Sequence, residues 1–197
     1  GKLINGYHAL DFNGIDQSLA GGTLSTYIGI TPSSWSFSAL IYPHTAVADP
    51  GNSNRYQTTN IACDTGAFFV IAYTKSGISL EMADGGAAST LTVPCSTNEW
   101  HYVQASYDGA KAKLYLRVDD GATSTQTYGN ISNTASIFNI GCNYDNTKFF
   151  DGLMLEIQTT AHHRTEAEFN TIGHYLETRY GLDLGFGTGV IAVHQLN

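Results

Sequence analysis

The stretch WHYVQASYDGAKAKLYLRVDDG, residues 100–121, predicts a β-hairpin, because apolar and polar residues alternate along both of its arms. One face of the arms is apolar and carries Val103, Ala105, Tyr107, Leu114, Leu116 and Val118. The other face is polar or aromatic and carries Tyr102, Gln104, Ser106, Lys113, Tyr115 and Arg117. A turn at Asp108-Gly109 joins the arms, since Asp-Gly supplies the positive φ that a tight connection needs. We therefore expect one face in the core and the other against water or a ligand.

Short apolar stretches separated by turns rich in glycine, asparagine and proline make up most of the remaining chain. Residues 63–74 and 78–82 predict a second hairpin around a turn at residues 75–77, and residues 136–142 predict a further strand. This density of turns is typical of an antiparallel sandwich.

A single helix is predicted over about residues 165–180. Thr165 and Glu168 form a capping-box signature at its start, and Gly181 supplies its stop. Apolar residues recur between them at helical spacing, at Phe169, Ile172 and Leu176. We expect this helix to pack on the sandwich, either as a structural cover for an open end or edge or as a partner-binding element.

Together these segments resemble the laminin-G-like, concanavalin A-like jelly roll of the bacterial and phage type. The resemblance spans roughly residues 9–182 and is carried by four segments in the family's order: ALDFNG (9–14), WSFSALI (35–41), the hairpin at 100–121 and FDGLMLEI (150–157). The helix that follows is similar to the one that often ends bacterial and phage versions. The resemblance implies an all-β fold, an antiparallel two-sheet jelly-roll sandwich with one C-terminal α-helix.

The length of 197 residues suits one domain, which we expect over residues 1–184, followed by a Gly-rich segment and terminal strand over residues 185–197. In that tail, GFGTG (185–189) precedes the apolar run VIAV (190–193). A phosphate-binding loop would need a helix after it, whereas β-branched residues follow here. The run therefore either completes the domain's own sheet or augments the sheet of a neighbouring subunit.

Acidic residues outnumber basic ones by 17 to 9, which gives a net charge of −8. No cluster of Lys or Arg is present to neutralise phosphates or to dock on anionic lipid, so we expect neither nucleic acid nor a membrane as a partner. No apolar run reaches the roughly 20 residues of a membrane span. Gly1-Lys2-Leu3 begins no recognisable signal peptide. We expect a protein of a virion surface or of the extracellular space, and a secreted chain would look the same after cleavage.

Three widely spaced cysteines, Cys63, Cys95 and Cys142, form no disulfide framework, because their number is odd. None lies in a C-x-x-C pair or beside a candidate base. We therefore expect small buried thiols rather than a reactive site.

The sequence offers no catalytic set. Retaining glycosidases need two carboxylates about 5 Å apart, and the glucanases of the resembled family place them on one strand as E-x-D-x-x-E. The matching segment here, residues 156–158, is Glu-Ile-Gln, so glutamine stands where the second carboxylate would be. His162 and His163 are neighbours on a loop, and His101 has the strand parity of a buried, hydrogen-bonded histidine. We expect no catalytic residues and no enzyme activity.

Two turns are rich in the oxygen ligands that calcium prefers. The candidate calcium ligands are Asp11, Asn13 and Asp16, and a second group is formed by Asn143, Asp145 and Asn146. Both groups are also ordinary turn-forming residues. Beyond this calcium ion we expect no cofactor.

Four residues on the polar face of the first hairpin are candidate ligand-binding residues: Tyr102, Gln104, Tyr115 and Arg117. Proteins bind sugars through aromatic rings against C–H faces and through amide, hydroxyl and charged groups. The four side chains would lie close together, because cross-strand neighbours are about 5 Å apart. The alternative is a sheet face in contact with water or covered by the terminal helix.

These observations favour a non-catalytic surface module of the carbohydrate-recognition or adhesion type. We expect it to be a structural or decoration component of a larger assembly, such as the head or tail of a phage virion. The alternative is a stand-alone secreted lectin-like domain, and a polysaccharide hydrolase or lyase has less support. The expected partners are a glycan, other subunits of the assembly, and further copies of the chain.

Overall fold

A computed structural model describes residues 3–23, 34–44, 59–64, 69–74, 76–82, 89–129, 137–142 and 149–187. In this part of the chain the backbone forms fourteen strands and one helix. They are β1 (Leu3–Ile4), β2 (Tyr7–His8), β3 (Leu10–Asn13), β4 (Leu19–Thr23), β5 (Ser34–Pro43), β6 (Thr59–Asp64), β7 (Phe69–Thr74), β8 (Gly77–Met82), β9 (Ser89–Val93), β10 (His101–Asp108), β11 (Lys113–Val118), β12 (Ser124–Thr127), β13 (Ile137–Ile140), β14 (Asp151–Thr160) and α1 (Glu166–Tyr180).

The strands form two six-stranded sheets and a small hairpin of β1 and β2. Sheet I has the order β12-β11-β10-β5-β14-β3, and sheet II has the order β4-β13-β6-β7-β8-β9. Neighbouring strands pair antiparallel in both sheets. The predicted class, an antiparallel two-sheet sandwich with one C-terminal helix, is confirmed.

The predicted hairpin of residues 100–121 is formed by β10 and β11, whose register runs from Val103 opposite Val118 to Asp108 opposite Lys113. Its connection is longer than the predicted Asp-Gly turn, because residues 109–112 all lie between the strands. The left-handed residue of this connection is Ala112 (φ 48°), not Gly109. The Asp108 carboxylate fixes the turn instead, since its Oδ1 accepts hydrogen bonds from the backbone N–H groups of Ala110 (3.1 Å) and Lys111 (3.3 Å). The position of the turn was predicted correctly, and its conformation was not.

The space between the two sheets is filled by the inner core, the cluster of apolar side chains that both sheets direct inward. It contains all six residues that the alternation placed on the apolar face of the hairpin. Its largest fully buried side chains include Trp35, Phe37 and Tyr107. The hydrophobic effect therefore fixes the register of the hairpin, because a shift of one residue would move this whole set to the opposite face.

Sheet I is also buried on its outer face, where helix α1 packs. Here Leu40, Tyr102 and Leu155 of the sheet form the outer core with apolar residues of the helix. The helical residues are those predicted from the spacing, together with the end of the helix: Phe169, Ile172, Leu176 and Tyr180. The helix covers a sheet face rather than an open end or edge, and the polar face of the hairpin is therefore mostly shielded from water.

Both ends of α1 follow the prediction. At the N-terminus, the Thr165 hydroxyl accepts from the backbone N–H of Glu168 while the Glu168 carboxylate accepts from the backbone N–H of Thr165, which completes the capping box. At the C-terminus, Gly181 adopts the left-handed conformation (φ 64°) and donates its N–H to the carbonyl of Glu177.

The segment after the helix folds back onto it. The Glu177 carboxylate accepts hydrogen bonds from the backbone N–H groups of Leu184 (2.9 Å) and Phe186 (3.0 Å). Phe186 fits against Gly173, where a Cβ atom would lie 2.5 Å from the phenyl ring. Residues 185–187 thus contact the domain, and the predicted strand at 190–193 lies outside the described residues. The predicted division of the chain after residue 184 stays a prediction.

A glycine at the start of β8 is predicted to be essential for packing. Gly77 has φ 122°, and a Cβ atom there would lie 2.1 Å from the Val93 carbonyl oxygen. We expect Gly77→Ala to lower the free energy of unfolding by about 3 kcal/mol or more, because strain and overpacking each cost about 1–3 kcal/mol. Gly181→Ala is the control, because nothing lies within 4 Å of its Cβ position, and we expect a loss of about 1 kcal/mol. Equal losses in urea unfolding would contradict this contact.

The outer core is predicted to contribute to one cooperative unfolding transition. Leu176 is fully buried on the face of α1 that packs on sheet I, whereas Thr178 is exposed on the same helix. We expect Leu176→Ala to lower the free energy of unfolding by about 2–5 kcal/mol and Thr178→Ala to change it by less than about 0.5 kcal/mol. The measurement is urea unfolding followed by both tryptophan fluorescence and far-UV circular dichroism. Separate transitions for the helix and the sheets would show that the helix is not part of the domain.

Candidate functional site

A pocket of about 190 Å³ opens between the edge strand β12 and the first turn of α1. Sheet I supplies its buried floor, which consists of Gln104, Ser106, Leu116 and Arg117. One wall comes from the strands β11 and β12 and carries Tyr115, Thr123 and Thr125. The opposite wall comes from the loop before the helix and from the helix itself, and carries His163, Arg164, Glu166 and Phe169. The pocket therefore lies where the apolar contact between helix and sheet ends.

Three of the four predicted ligand-binding residues line this pocket, namely Gln104, Tyr115 and Arg117. The fourth, Tyr102, is fully buried in the outer core, where its ring packs against Phe169 and Phe186 at centroid distances of 6.5 and 6.2 Å. The structure therefore brings three of the residues together and places Tyr102 away from the pocket. Their role in binding a ligand stays a prediction.

Gln104 presents an acceptor that the described protein does not use. Its Nε2 group donates to the backbone carbonyls of Asp119 (2.9 Å) and Tyr102 (3.5 Å). Its Oε1 atom is buried and accepts no hydrogen bond from the residues that the structure describes. A buried acceptor without a donor costs about 1–3 kcal/mol. A water molecule or a ligand hydroxyl in the pocket would remove this cost.

Arg117 is only 3% exposed, and the protein uses its donors. Its Nε donates to the Gly121 carbonyl at 2.8 Å, and its Nη1 donates to Oδ1 of Asn170 at 2.5 Å. Its Nη2 pairs with the Asp120 carboxylate, and its guanidinium lies 5.3 Å from the centre of the Phe186 ring. Arg117 therefore ties β11 to the helix and to the folded-back segment, and Asp120 balances its charge within the pocket floor.

Arg164 lines the pocket and was not predicted. Its backbone N–H donates to the Ser36 hydroxyl at 2.7 Å, and its Nη1 donates to the Ser38 hydroxyl at 3.5 Å. Within the described ranges no carboxylate forms an ion pair with this guanidinium. The sequence contained a weak signal, because a cationic residue stands directly before the helix N-cap, but nothing in the spacing shows which strands the loop would reach.

An aromatic pair forms one side of the pocket. The rings of Tyr115 and His163 lie 4.7 Å apart between centroids and are inclined by 31°. His163 is held by a hydrogen bond of 3.0 Å between its Nδ1 and the Ser106 hydroxyl. Burial lowers the pKa of His163 below its ordinary value. Nearby charges have smaller effects on this pKa, some raising it and others lowering it. The pair therefore presents a neutral, largely apolar surface at pH 7.

The glutamate of the closing strand contacts the end of the helix. β14 contains a bulge between Leu155 and Gln158, and Glu156 has a positive φ of 47°. The Glu156 carboxylate accepts from the Tyr180 hydroxyl at 2.7 Å and pairs with Arg179 at 3.4 Å. Burial, together with this hydrogen bond, raises the pKa of Tyr180 to about 12. Glu156 therefore attaches the strand to the end of the helix.

A row of three side chains at the open end of the hairpin has the order of a serine-hydrolase triad. His101 is buried, its Nδ1 lies 2.7 Å from Asp119 Oδ2, and its Nε2 lies 3.1 Å from the Ser96 hydroxyl. Ser96 is exposed, and its hydroxyl also bonds to the Glu99 carboxylate. The other Asp119 oxygen accepts from the Tyr102 N–H at 2.7 Å. The row ties the loop before β10 to the turn after β11, and the predicted buried, hydrogen-bonded His101 is confirmed.

The cysteines show no sign of reactivity. Cys95 is a free thiol of intermediate exposure, and Cys142 is buried. Burial raises the pKa of Cys95 to about 12, so this thiol stays protonated and weakly nucleophilic. The side chain of Cys63 lies outside the described residues.

The predicted calcium ligands Asn13 and Asp16 lie together at the turn after β3. The Asn13 side-chain amide donates to Asp16 Oδ1 at 2.8 Å, and its carbonyl oxygen accepts from the N–H groups of Ile15 and Asp16 at 3.0 and 3.2 Å. Asp11 is exposed on β3. The described ranges contain no group of three or more His, Cys, Asp or Glu side chains that could hold a metal ion. Calcium binding stays a prediction, and Asn143, Asp145 and Asn146 lie outside the described residues.

The fold has solved counterparts of low sequence identity. A carbohydrate-binding module, CBM40 of the Ruminococcus gnavus IT-sialidase bound to α2,3-sialyllactose, matches with a TM-score of 0.61 at 14% identity, covering 84% of this chain and 97% of that chain. Domain 4 of AbnA, a GH43 extracellular arabinanase from Geobacillus stearothermophilus in complex with arabinotriose, matches with a TM-score of 0.61 at 12% identity. The match covers 88% of this chain and 82% of that chain.

A third counterpart is the native heptameric SAP-like pentraxin from Limulus polyphemus, with a TM-score of 0.59 at 14% identity, covering 83% of this chain and 80% of that chain. No protein of curated function matches the chain by sequence. In the part of the chain that the structure describes, no helix is both long and apolar enough to cross a membrane.

A family model gives the identification. Residues 16–169, well over half of the chain, match the model described as the concanavalin A-like lectin/glucanases superfamily. The match covers the strands from β4 to β14 and reaches the start of α1. The chain therefore belongs to the concanavalin A-like lectin/glucanase superfamily.

Proposed function

We propose that the chain is a non-catalytic carbohydrate-recognition module and that its sugar occupies the pocket between β12 and α1. The observation that carries the proposal is the Gln104 Oε1 atom, which is buried in the pocket floor and lacks a donor. Sugars are rich in hydroxyl groups that can donate to such an acceptor. The counterparts among carbohydrate-binding modules support the proposal at the level of the fold alone.

The lining of the pocket has the composition that sugar recognition requires. The Tyr115 ring offers an apolar surface for the C–H groups of a sugar, and Thr123 and Thr125 offer hydroxyls that can both donate and accept. Glu166 adds a carboxylate, which the Thr123 hydroxyl contacts at 3.4 Å. A few polar groups around a partly apolar concave site are typical of small-molecule binding.

The proposal includes a place in a larger assembly at a virion surface or outside the cell. In the described part of the chain, β3 and β4 are the outermost strands of their sheets. Apolar side chains lie exposed on them and on the turn between them: Leu10 (44%), Ile15 (72%) and Leu19 (43%). Open strand edges with exposed apolar residues favour pairing with another chain, and we propose a second copy of this chain as the partner.

Multiple copies would make a weak sugar site useful. A millimolar dissociation constant corresponds to only about −4 kcal/mol, but linked copies can exceed the single-site affinity by about 10²–10⁴. The alternative, a stand-alone secreted lectin-like domain, predicts the same pocket without the assembly edge. A hydrolase or lyase remains the less supported class, because the one glutamate of the closing strand is used to hold the helix.

The pocket assignment predicts a specific loss of glycan binding. We expect Tyr115→Ala to weaken binding about tenfold, equivalent to about 1.4 kcal/mol, because the aromatic wall is removed. Tyr175→Ala is the matched control, since Tyr175 is an exposed tyrosine of α1 outside the pocket. The measurement is a glycan array with the protein clustered on beads, followed by titration of the best glycan. Binding to no glycan on the array, even in clustered form, would refute the proposed function.

The assembly edge predicts a change in oligomeric state. We expect the chain to form oligomers by light scattering and Ile15→Asp to shift them towards the monomer, because a charge at this edge opposes pairing. Tyr175→Ala again serves as the control and is expected to leave the mass unchanged. A monomeric chain at all concentrations would remove the assembly part of the proposal and leave the sugar site untouched.

A further inference from the structure

We infer that the sugar bound in the pocket carries a carboxylate and that the Arg164 guanidinium holds it. This inference rests on the proposed function and names the class of its ligand. It is carried by a guanidinium with no carboxylate within ion-pair distance and by a neighbouring buried acceptor with no donor, both judged among the residues that the structure describes.

The two arginines of the pocket differ in how their charge is balanced. Arg117 pairs with the Asp120 carboxylate and donates to two further oxygens, so it needs nothing from a ligand. Arg164 is half-buried, and its only side-chain hydrogen bond to the described protein is the 3.5 Å contact with Ser38. A guanidinium can only donate hydrogen bonds, and partial burial makes an unpaired charge costly. Among the described residues no carboxylate therefore lies within ion-pair distance of Arg164, and the Glu168 carboxyl, whose pKa is lowered mainly by hydrogen bonds from Thr165, senses the Arg164 charge only as a smaller effect.

The backbone of Arg164 is held against strand β5. The fully buried Ser36 hydroxyl accepts from the Arg164 backbone N–H at 2.7 Å and donates to the His162 carbonyl at 2.8 Å. These two bonds attach the loop before α1 to strand β5. A site whose groups are already held in place loses less entropy when it binds. This argues that the placement of Arg164 serves binding.

The unpaired cation and the unpaired acceptor are neighbours. Arg164 Nη1 contacts the hydroxyl of Ser38, and Ser38 lies directly opposite Gln104 in the pairing of β5 with β10. Directly opposed residues have Cβ atoms about 5 Å apart. A carboxylate on Arg164 therefore places the adjoining part of its sugar beside Gln104, where a ring hydroxyl can donate to Oε1. A planar carboxylate also matches the forked geometry of a guanidinium.

The surrounding charges favour a single carboxylate over a group of higher charge. Glu166 stands in the same pocket, and the whole chain has a net charge of −8. Burial keeps the pKa of His163 low, so this side chain adds no positive charge at pH 7. One cation is thus available for one anionic group, and a phosphate or a polysulfated sugar would be repelled. Glu166 itself can accept a hydrogen bond from a sugar hydroxyl.

The test compares acidic sugars with matched neutral ones. The probes are the methyl glycosides of glucuronic, galacturonic and N-acetylneuraminic acids, each beside its carboxyl-reduced counterpart, with glucose 6-sulfate and glucose 6-phosphate as other anions. We expect at least one carboxylated glycoside to bind about tenfold more tightly than its reduced form, because hydrogen bonds between charged partners are roughly twice as strong as neutral ones. This preference should decrease as the salt concentration rises.

Variants assign the preference to Arg164. We expect Arg164→Gln to abolish the preference for the acid while leaving the reduced sugar bound, and Arg164→Lys to retain part of it. Lys111→Gln is the control, since it removes the same charge from an exposed lysine outside the pocket. Thermal unfolding shows whether each variant is folded. If a variant does not fold, the comparison of acidic and reduced sugars on the unaltered chain still tests the preference for a carboxylate.

The outcomes separate the inference from the proposed function. Equal binding of acidic and reduced sugars would overturn the carboxylate assignment and leave sugar recognition standing. Binding of the sulfate or phosphate as tight as that of the best carboxylate would also overturn it, in favour of a general anion site. If no acidic or neutral sugar bound, the proposed function itself would fail.

Discussion

The burial of sheet I on both faces is the constraint on which the rest of the structure depends. The inner core fills one face and the helix with its folded-back segment covers the other, so nearly every residue of β5 and β10 is buried. Polar residues on the outward side of these strands therefore lose contact with water and must find partners within the protein. Their partners come from the helix and from the loop before it. Polar side chains of sheet I, the loop and the helix are therefore brought together beside the pocket.

Within the described residues this polar layer is only partly satisfied, and part of its unused capacity lies at the pocket. Ser36 is bonded on both sides by the loop, and Arg117 is bonded to the helix, the turn and Phe186. Gln104 and Arg164 are left with unused hydrogen-bonding capacity at the end of the helix where apolar packing stops. An incompletely satisfied buried network destabilises a fold unless water or a ligand completes it. The remaining capacity therefore points to a function that packing alone does not explain.

The sequence predicted the elements better than it predicted their contacts. Alternation placed all six core residues of the hairpin, and the capping box and glycine stop gave both helix ends, because these signals are local. The position of the helix depends on tertiary contacts, but a signal existed in the unbroken apolar runs ALIY (39–42) and LML (153–155), which are typical of strands buried on both faces. The bulge at Glu156 and the reach of Arg164 to Ser38 had no such signal, since both depend on how distant strands align.

Membership of the superfamily leaves the chemistry of the site open, because the same sandwich carries lectins and glucanases, and counterparts at 12–14% identity share only its shape. What separates binding from hydrolysis is whether acidic groups are free at the sugar. Here the Glu156 carboxylate accepts a hydrogen bond from Tyr180 and pairs with Arg179, and the Ser96 hydroxyl is hydrogen-bonded to the Glu99 carboxylate. The described lining of the pocket holds one carboxylate, that of Glu166, beside an amide oxygen and a guanidinium, and the last two form hydrogen bonds without changing protonation near neutral pH. Retaining glycosidases pair two carboxylates about 5 Å apart, and the described lining of this pocket contributes one.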